Sequence, residues 1–190
     1  MATNLPGILR EDTHFYKEYE EQLKPYLGRQ YMSYSTAGSF TDYLSDFVKS
    51  KLVGIRQPGS VYTDLGSEVG YALEHGEWSK ENPHNFVREL DLESLRVPNA
   101  EYERLIIIDR GEYILIGFID QFVQYEDGVG VFDFKTGASN KKSQYTKEDY
   151  TQVMLYAYAE ELRGNKVVKT GVFFIERQGS HINPPLIITN

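Results

Sequence analysis

Hydrophobic positions crowd together between residues 103 and 135, and the few polar ones among them stand out. Glu103–Asp109 carries Leu105-Ile106-Ile107-Ile108 at its centre and reads as a strand. Asp109-Arg110-Gly111-Glu112 turns the chain back. Residues 112–124 and 129–135 are rich in β-branched and aromatic residues and read as two further strands. Between 114 and 123 both parities are apolar, which predicts a sheet covered on both faces. Asp127-Gly128 signals a tight hairpin turn. With those two residues as the loop, Asp120 lies opposite Lys135, and Asp133 is its diagonal neighbour. Asp133 and Lys135 are two apart and share a face. Three charged groups therefore meet at one end of an apolar hairpin.

Helical spacing marks the flanking segments. Residues 11–23 form an acidic piece with His14, Phe15 and Tyr19 as an apolar stripe, ended by Pro25 and Gly28. Phe40, Tyr43, Leu44, Phe47 and Val48 recur at helical spacing over 40–52, capped by Ser39 or Thr41. Residues 62–75 predict a second helix, with Thr63 or Asp64 as its cap. Gly66 and Gly70 each cost that helix about 1 kcal/mol relative to alanine, and suggest close approach of another backbone or a short helix. A short helix fits 85–90. A long one fits 146–162, where Gln152 and Tyr156 are four apart and share a face. Gly164-Asn165 stops it. Residues 167–176 read as a strand, and 181–189 as an edge strand interrupted by Pro184-Pro185. The expected whole is an α/β (α+β) domain, a mixed central sheet flanked by helices. Residues 1–30 are expected to be a helical arm and 31–190 the main domain.

Composition narrows the class. At 190 residues the chain suits a single domain with a real core. It has no cysteine, so disulfides, cysteine-ligated zinc and an iron–sulfur cluster are excluded. No apolar run is long enough to span a membrane, and no signal sequence opens the chain, so a cytoplasmic setting is the default. The net charge of −8 argues against a whole-surface grip on nucleic acid but leaves room for a local groove. Lys135, Lys141, Lys142 and Lys147 form one basic group, and Lys49, Lys51 and Arg56 another; solvated surface lysines are the plain alternative.

Asp120 and Asp133 at a strand end suit Mg²⁺ or Mn²⁺, since hard cations take oxygen ligands. The Phe134 carbonyl is a candidate third ligand. Such a cation activates water and stabilises charge on a phosphoryl oxygen. Lys135 can orient the water or neutralise charge, and Gln152 and Tyr156 can hold a nucleotide or the lysine. Metal-assisted phosphodiester hydrolysis fits this set. There is no cysteine nucleophile, no Gly-x-Ser-x-Gly elbow and no Walker-type phosphate loop.

Gly117-x-Ile119-Asp120, then Asp133-x-Lys135-Thr136-Gly137, then Gln152-x-x-x-Tyr156, resembles the RecB-type branch of the PD-(D/E)xK nuclease superfamily. Tyr34-Ser35 and Leu65-Gly66-x-x-x-Gly70-x-x-Leu73-Glu74 occupy the places of that branch's opening motifs, so the likeness covers roughly residues 31–176. Size and lack of cysteine are similar to those of small stand-alone phage members. The resemblance implies a restriction-endonuclease-like fold and metal-dependent cleavage of single- or double-stranded DNA, with an exonuclease role in phage or host DNA processing. A recombination or repair protein is an expected partner. It implies Asp120 and Asp133 as metal ligands, Lys135 as catalytic lysine, and Gln152 and Tyr156 as the supporting helical motif.

Gly70 departs from that pattern. The branch usually has histidine there, and Gly70 can ligate nothing. Glu74, one turn on, or Glu68, on another face, can supply the missing ligand. A descendant of the nuclease fold that only binds nucleic acid or protein is the alternative, and an unrelated mixed domain is a third.

Overall fold

The computed structural model describes residues 7–37, 61–79, 92–138, 150–178, 181–182 and 186–189. Along the chain run helix α1 (Glu20–Leu23), strand β1 (Gln30–Ser33), helix α2 (Val61–His75), helix α3 (Leu92–Leu95), strands β2 (Glu101–Asp109), β3 (Tyr113–Gln124) and β4 (Val129–Gly137), helix α4 (Thr151–Leu162), and strands β5 (Val167–Gln178), β6 (His181–Ile182) and β7 (Leu186–Thr189). The chain forms two compact units, one of residues 1–58 with 105–117, the other of 59–104 with 118–190.

In the first unit β1 pairs in parallel with the start of β3, from Gln30 opposite Tyr113 to Ser33 opposite Ile116. Leu9, Phe15, Tyr16, Leu23, Ile106, Ile108, Ile114 and Ile116 are buried here. Residues 11–23 are not the helix that the stripe predicts. Only Glu20–Leu23 is α-helical; before it the chain advances by turns, with Thr13 bonded to Arg10, Tyr16 to Thr13 and Tyr19 to Tyr16. The adjacent pair Phe15 and Tyr16 is buried, where a helical face would bury residues three or four apart. Arg29 grips Asp109 through two bonds of 2.7 Å. The helix expected over 40–52, the one over 85–90, Pro184-Pro185, and all the basic residues noted except Lys135 lie outside the described residues; the helix expected over 146–162 begins only at Thr151, because Tyr150 is extended and caps it.

The second unit is built on β4. β3 runs antiparallel to it, β5 runs parallel to it from Val129 to Gly137, and β7 continues antiparallel to β5. Parallel β4 and β5 need a crossover, and α4 lies in that connection. α2 packs against β4, and α4 against β5 and β4. Leu65, Val69 and Leu73 of α2 close over Val123, Phe132, Phe173 and Ile175. Their spacing of four is one helical face. Gly66 has a packing reason, since a Cβ there would sit 3.1 Å from Thr136 Oγ1. α4 buries Val153, Tyr156, Ala157, Ala159 and Glu160, and ends at Gly164, whose φ is +89°. Among the described residues no helix is long and apolar enough to cross a membrane.

Glu160 anchors the end of α4. It is fully buried and accepts from Arg104 Nε at 3.0 Å, Arg163 Nη1 at 2.7 Å and Asn165 Nδ2 at 2.6 Å. Burial raises its pKa, but bonds from Arg104 and Asn165 outweigh burial and hold it below its usual value. Glu160→Ala is expected to cost about 2–3 kcal/mol in urea unfolding at pH 7, because partly exposed arginines lose a buried partner. A lowered folded-state pKa gives stability that is present above the ordinary glutamate value and lost as pH falls through the folded one. The gap between wild type and variant should therefore narrow below about pH 4.5.

Candidate active site

The β3–β4 hairpin brings the two aspartates together, in a register different from the one the Asp-Gly signal predicts. Gln124 pairs with Val129 and Gln121 with Phe132. The loop is thus four residues, Tyr125–Gly128, closed by Tyr125 N–H donating to the Gly128 carbonyl at 2.8 Å. One further pair along this register puts Asp120 opposite Asp133, not Lys135. The shift is two residues, so every side chain keeps its face and the cluster survives. The physical reason lies outside the hairpin. The Val129 N–H bonds the Lys166 carbonyl at 2.8 Å, and any side chain at Gly128 would run into that carbonyl.

Asp133 has no exposed surface. Its Oδ2 is held by the Lys135 ammonium at 2.7 Å, and Asp120 lies within hydrogen-bonding reach. Asp120 Oδ2 accepts the Phe134 N–H at 2.6 Å. Burial, and next the Asp133 charge, push the Asp120 carboxyl well above the usual range against the pull of Lys135. Burial likewise raises Asp133, opposed by Lys135. Two desolvated carboxylates side by side are costly unless a cation joins them.

α4 supplies the remaining pair. Gln152 Nε2 donates to the Tyr156 hydroxyl at 3.0 Å, and the Tyr150 hydroxyl donates to Gln152 Oε1 at 3.0 Å. Tyr156 is buried. Burial chiefly raises its pKa, and the charges of Asp133 and Asp120 add to the rise, so the tyrosine stays a neutral hydrogen-bonding group beside the carboxylates.

A cleft of about 320 Å³ opens over Asp120, Phe134, Lys135 and Thr136, with Gly66, Val69, Gly70 and Glu74 of α2 as its wall. Gly70 leaves that wall open, as a Cβ there would meet nothing within 4 Å. Glu68 does not line this cleft; it is buried and accepts from Ser79 Oγ at 2.6 Å. The structure adds a residue that sequence reasoning missed. Glu103, at the start of β2, lines the same cleft. Its signal was absent locally, since a lone glutamate before an apolar strand reads as surface.

The donor set is oxygen throughout, as hard divalent cations require. Two carboxylates crowded together, both with pKa values raised by burial, fit such an ion. Among the described residues no three carboxylate or imidazole side chains are already gathered close enough to hold one metal ion. The paired carboxylates on adjacent strands, the neighbouring lysine and the mixed sheet flanked by helices define a nuclease-like α/β fold. The family model of the PD-(D/E)XK nuclease superfamily matches residues 15–184, and the chain belongs to that superfamily. Its members are nucleases that generally use divalent metals, so nucleic acid is the substrate class. No curated protein matches the chain.

Proposed function

We propose that this protein is a divalent-metal-dependent DNA nuclease of the RecB-type branch, acting as an exonuclease in phage or host DNA processing and recombination, in a cytoplasmic setting. The observation that supports it most is the wholly buried Asp133 carboxylate, paired with Lys135 at 2.7 Å and raised in pKa by burial beside Asp120. Asp120 and Asp133 would hold Mg²⁺ or Mn²⁺, with the Phe134 carbonyl as the candidate third oxygen. The bound cation supplies an activated water and charge stabilisation on the phosphoryl oxygen. Lys135 balances the two carboxylates in the resting protein and turns toward the phosphate charge that develops in the reaction. Its side chain is 24% exposed, which leaves the ammonium within reach of the cleft. Tyr156 and Gln152 hold each other and keep α4 fixed against the site.

Gly70 favours the second reading, a nuclease fold retained only for binding nucleic acid or a partner protein. The desolvated pair Asp120 and Asp133 weighs against it, since two carboxylates side by side destabilise the protein unless a cation joins them.

The exonuclease part is tested with duplex DNA in linear and covalently closed circular form, each with Mn²⁺. Loss of the linear form alone is the expected result. Nicking or linearisation of the circle would make the protein an endonuclease.

A further inference from the structure

We infer that Arg96, seated on Tyr102, is a second contact for the DNA strand and grips a backbone phosphate in a cleft beside the cation site. The inference rests on the nucleic-acid substrate of the nuclease reading and deepens it. A strand that enters the active cleft meets carboxylates on both walls, since Glu74 of α2 and Glu103 of β2 line it together with Asp120. Of the described residues that line it, only Lys135 is cationic, and its ammonium faces Asp133. The chain as a whole carries −8. Affinity for a phosphate backbone therefore needs a cation placed outside the active cleft.

A second cleft, of about 500 Å³, is lined by Gly76 just past α2, by Arg96 just past α3 and by Tyr102 of β2. Glu74 and Glu103 of the active cleft are close neighbours of these residues in the chain, so the two clefts share the end of α2 and the start of β2. Arg96 is built into place. Its Nη1 donates to the Glu74 carbonyl at 2.9 Å, which satisfies one of the carbonyls that a helix end leaves open. Its guanidinium lies over the Tyr102 ring, 4.8 Å from the centroid. The Tyr102 hydroxyl in turn accepts from buried Gln121 at 3.0 Å. Position 76 carries no side chain, and a Cβ there would stand 2.7 Å from Arg96 Nη1. Capping α2 uses one of five guanidinium donors. Arg29, Arg104 and Arg163 are each bonded to a carboxylate. Among the described residues Arg96 pairs with none, although Glu93 lines the same cleft. A half-exposed guanidinium, fixed on an aromatic ring with donors to spare, is preorganised for phosphate oxygens.

The test is fluorescence anisotropy of a labelled DNA oligonucleotide with the full chain in EDTA, over a series of salt concentrations, beside steady-state cleavage in Mn²⁺. Wild type, Arg96→Gln, Arg96→Met and Arg96→Lys are compared. Arg96→Gln should weaken binding about tenfold and lower the slope of log Kd against log salt by about one. Its KM should rise by a similar factor with kcat within about threefold of wild type, since a contact made equally in ground and transition states is uniform binding. Arg96→Met keeps the aliphatic stem and guards against a folding artefact; it should show the same lowered slope. Arg96→Lys should keep the wild-type slope and lose part of the affinity, because an ammonium lacks the planar fork. A packing role would move the melting temperature and kcat but not the salt slope. An unchanged slope in Arg96→Gln or Arg96→Met therefore overturns the inference, and cleavage by the wild type in the same series would leave the nuclease reading intact. Absence of salt-dependent binding in the wild type overturns it as well. A lowered slope beside a wild type that cleaves under no metal would keep the strand contact and remove the nuclease reading.

Discussion

Asp133→Asn lowers the cleavage rate by about 10³–10⁴-fold and raises the stability of the metal-free protein. The rate effect follows from losing one of two facing carboxylates: metal stabilisation of a phosphoryl transition state is worth several kcal/mol, and each 1.36 kcal/mol is tenfold. The stability effect has the opposite sign for a reason visible in the site. Burial raises both carboxyl pKa values, helped at Asp120 by the Asp133 charge. A raised folded-state pKa means stability that is full below the ordinary carboxylate range and lost as pH rises through the folded value. At neutral pH and without metal, the ionised pair therefore opposes folding, and asparagine removes half of it. Lys135 loses the Asp133 charge, but its ammonium is partly exposed and still acts on Asp120. Thermal melting in EDTA at pH 7, beside single-turnover cleavage with Mn²⁺, measures both effects. A variant that melts lower and cleaves normally would contradict the account on each count.

Lys135→Ala should cost about 10²–10³ in cleavage rate, the usual loss when one preorganised donor at a developing charge is removed. Mn²⁺ affinity should stay within a few-fold of wild type, because the lysine offers no lone pair to a metal. This separates the two neighbours on β4. Asp133 is needed to hold the ion, and Lys135 is needed in the reaction. Calorimetry with Mn²⁺ and cleavage assays on the same preparation check it, and full activity in Lys135→Ala would take the lysine out of the mechanism.

The hairpin shows how much of the site could be read from the chain, and where reading stopped. Strand alternation assigns Asp120, Asp133 and Lys135 to one face whichever even register holds. The register itself depends on Lys166, whose carbonyl meets Val129 and excludes a side chain at Gly128. That contact is about forty residues distant in sequence, and no local turn preference contains it. α2 was legible from its apolar spacing despite two glycines, and the contact with Thr136 gives Gly66 its reason. The turns of 11–19 were not legible, because acidic and aromatic residues there imitate an amphipathic stripe without forming one. Glu103 escaped because only the fold brings it to the cleft that Asp120 and Lys135 line. Glu68 and Glu74 were equal candidates by sequence; only the tie from Ser79 to Glu68 and the lining of the cleft by Glu74 separate them.

The most direct test of the central claim is digestion of end-labelled DNA, single- and double-stranded, by the wild-type protein in Mg²⁺, Mn²⁺ or EDTA, beside Asp133→Asn. Loss of label is expected with Mg²⁺ or Mn²⁺, none in EDTA and none with the variant. DNA left intact by the wild type under every metal would contradict it, and would show a nuclease fold kept for binding alone.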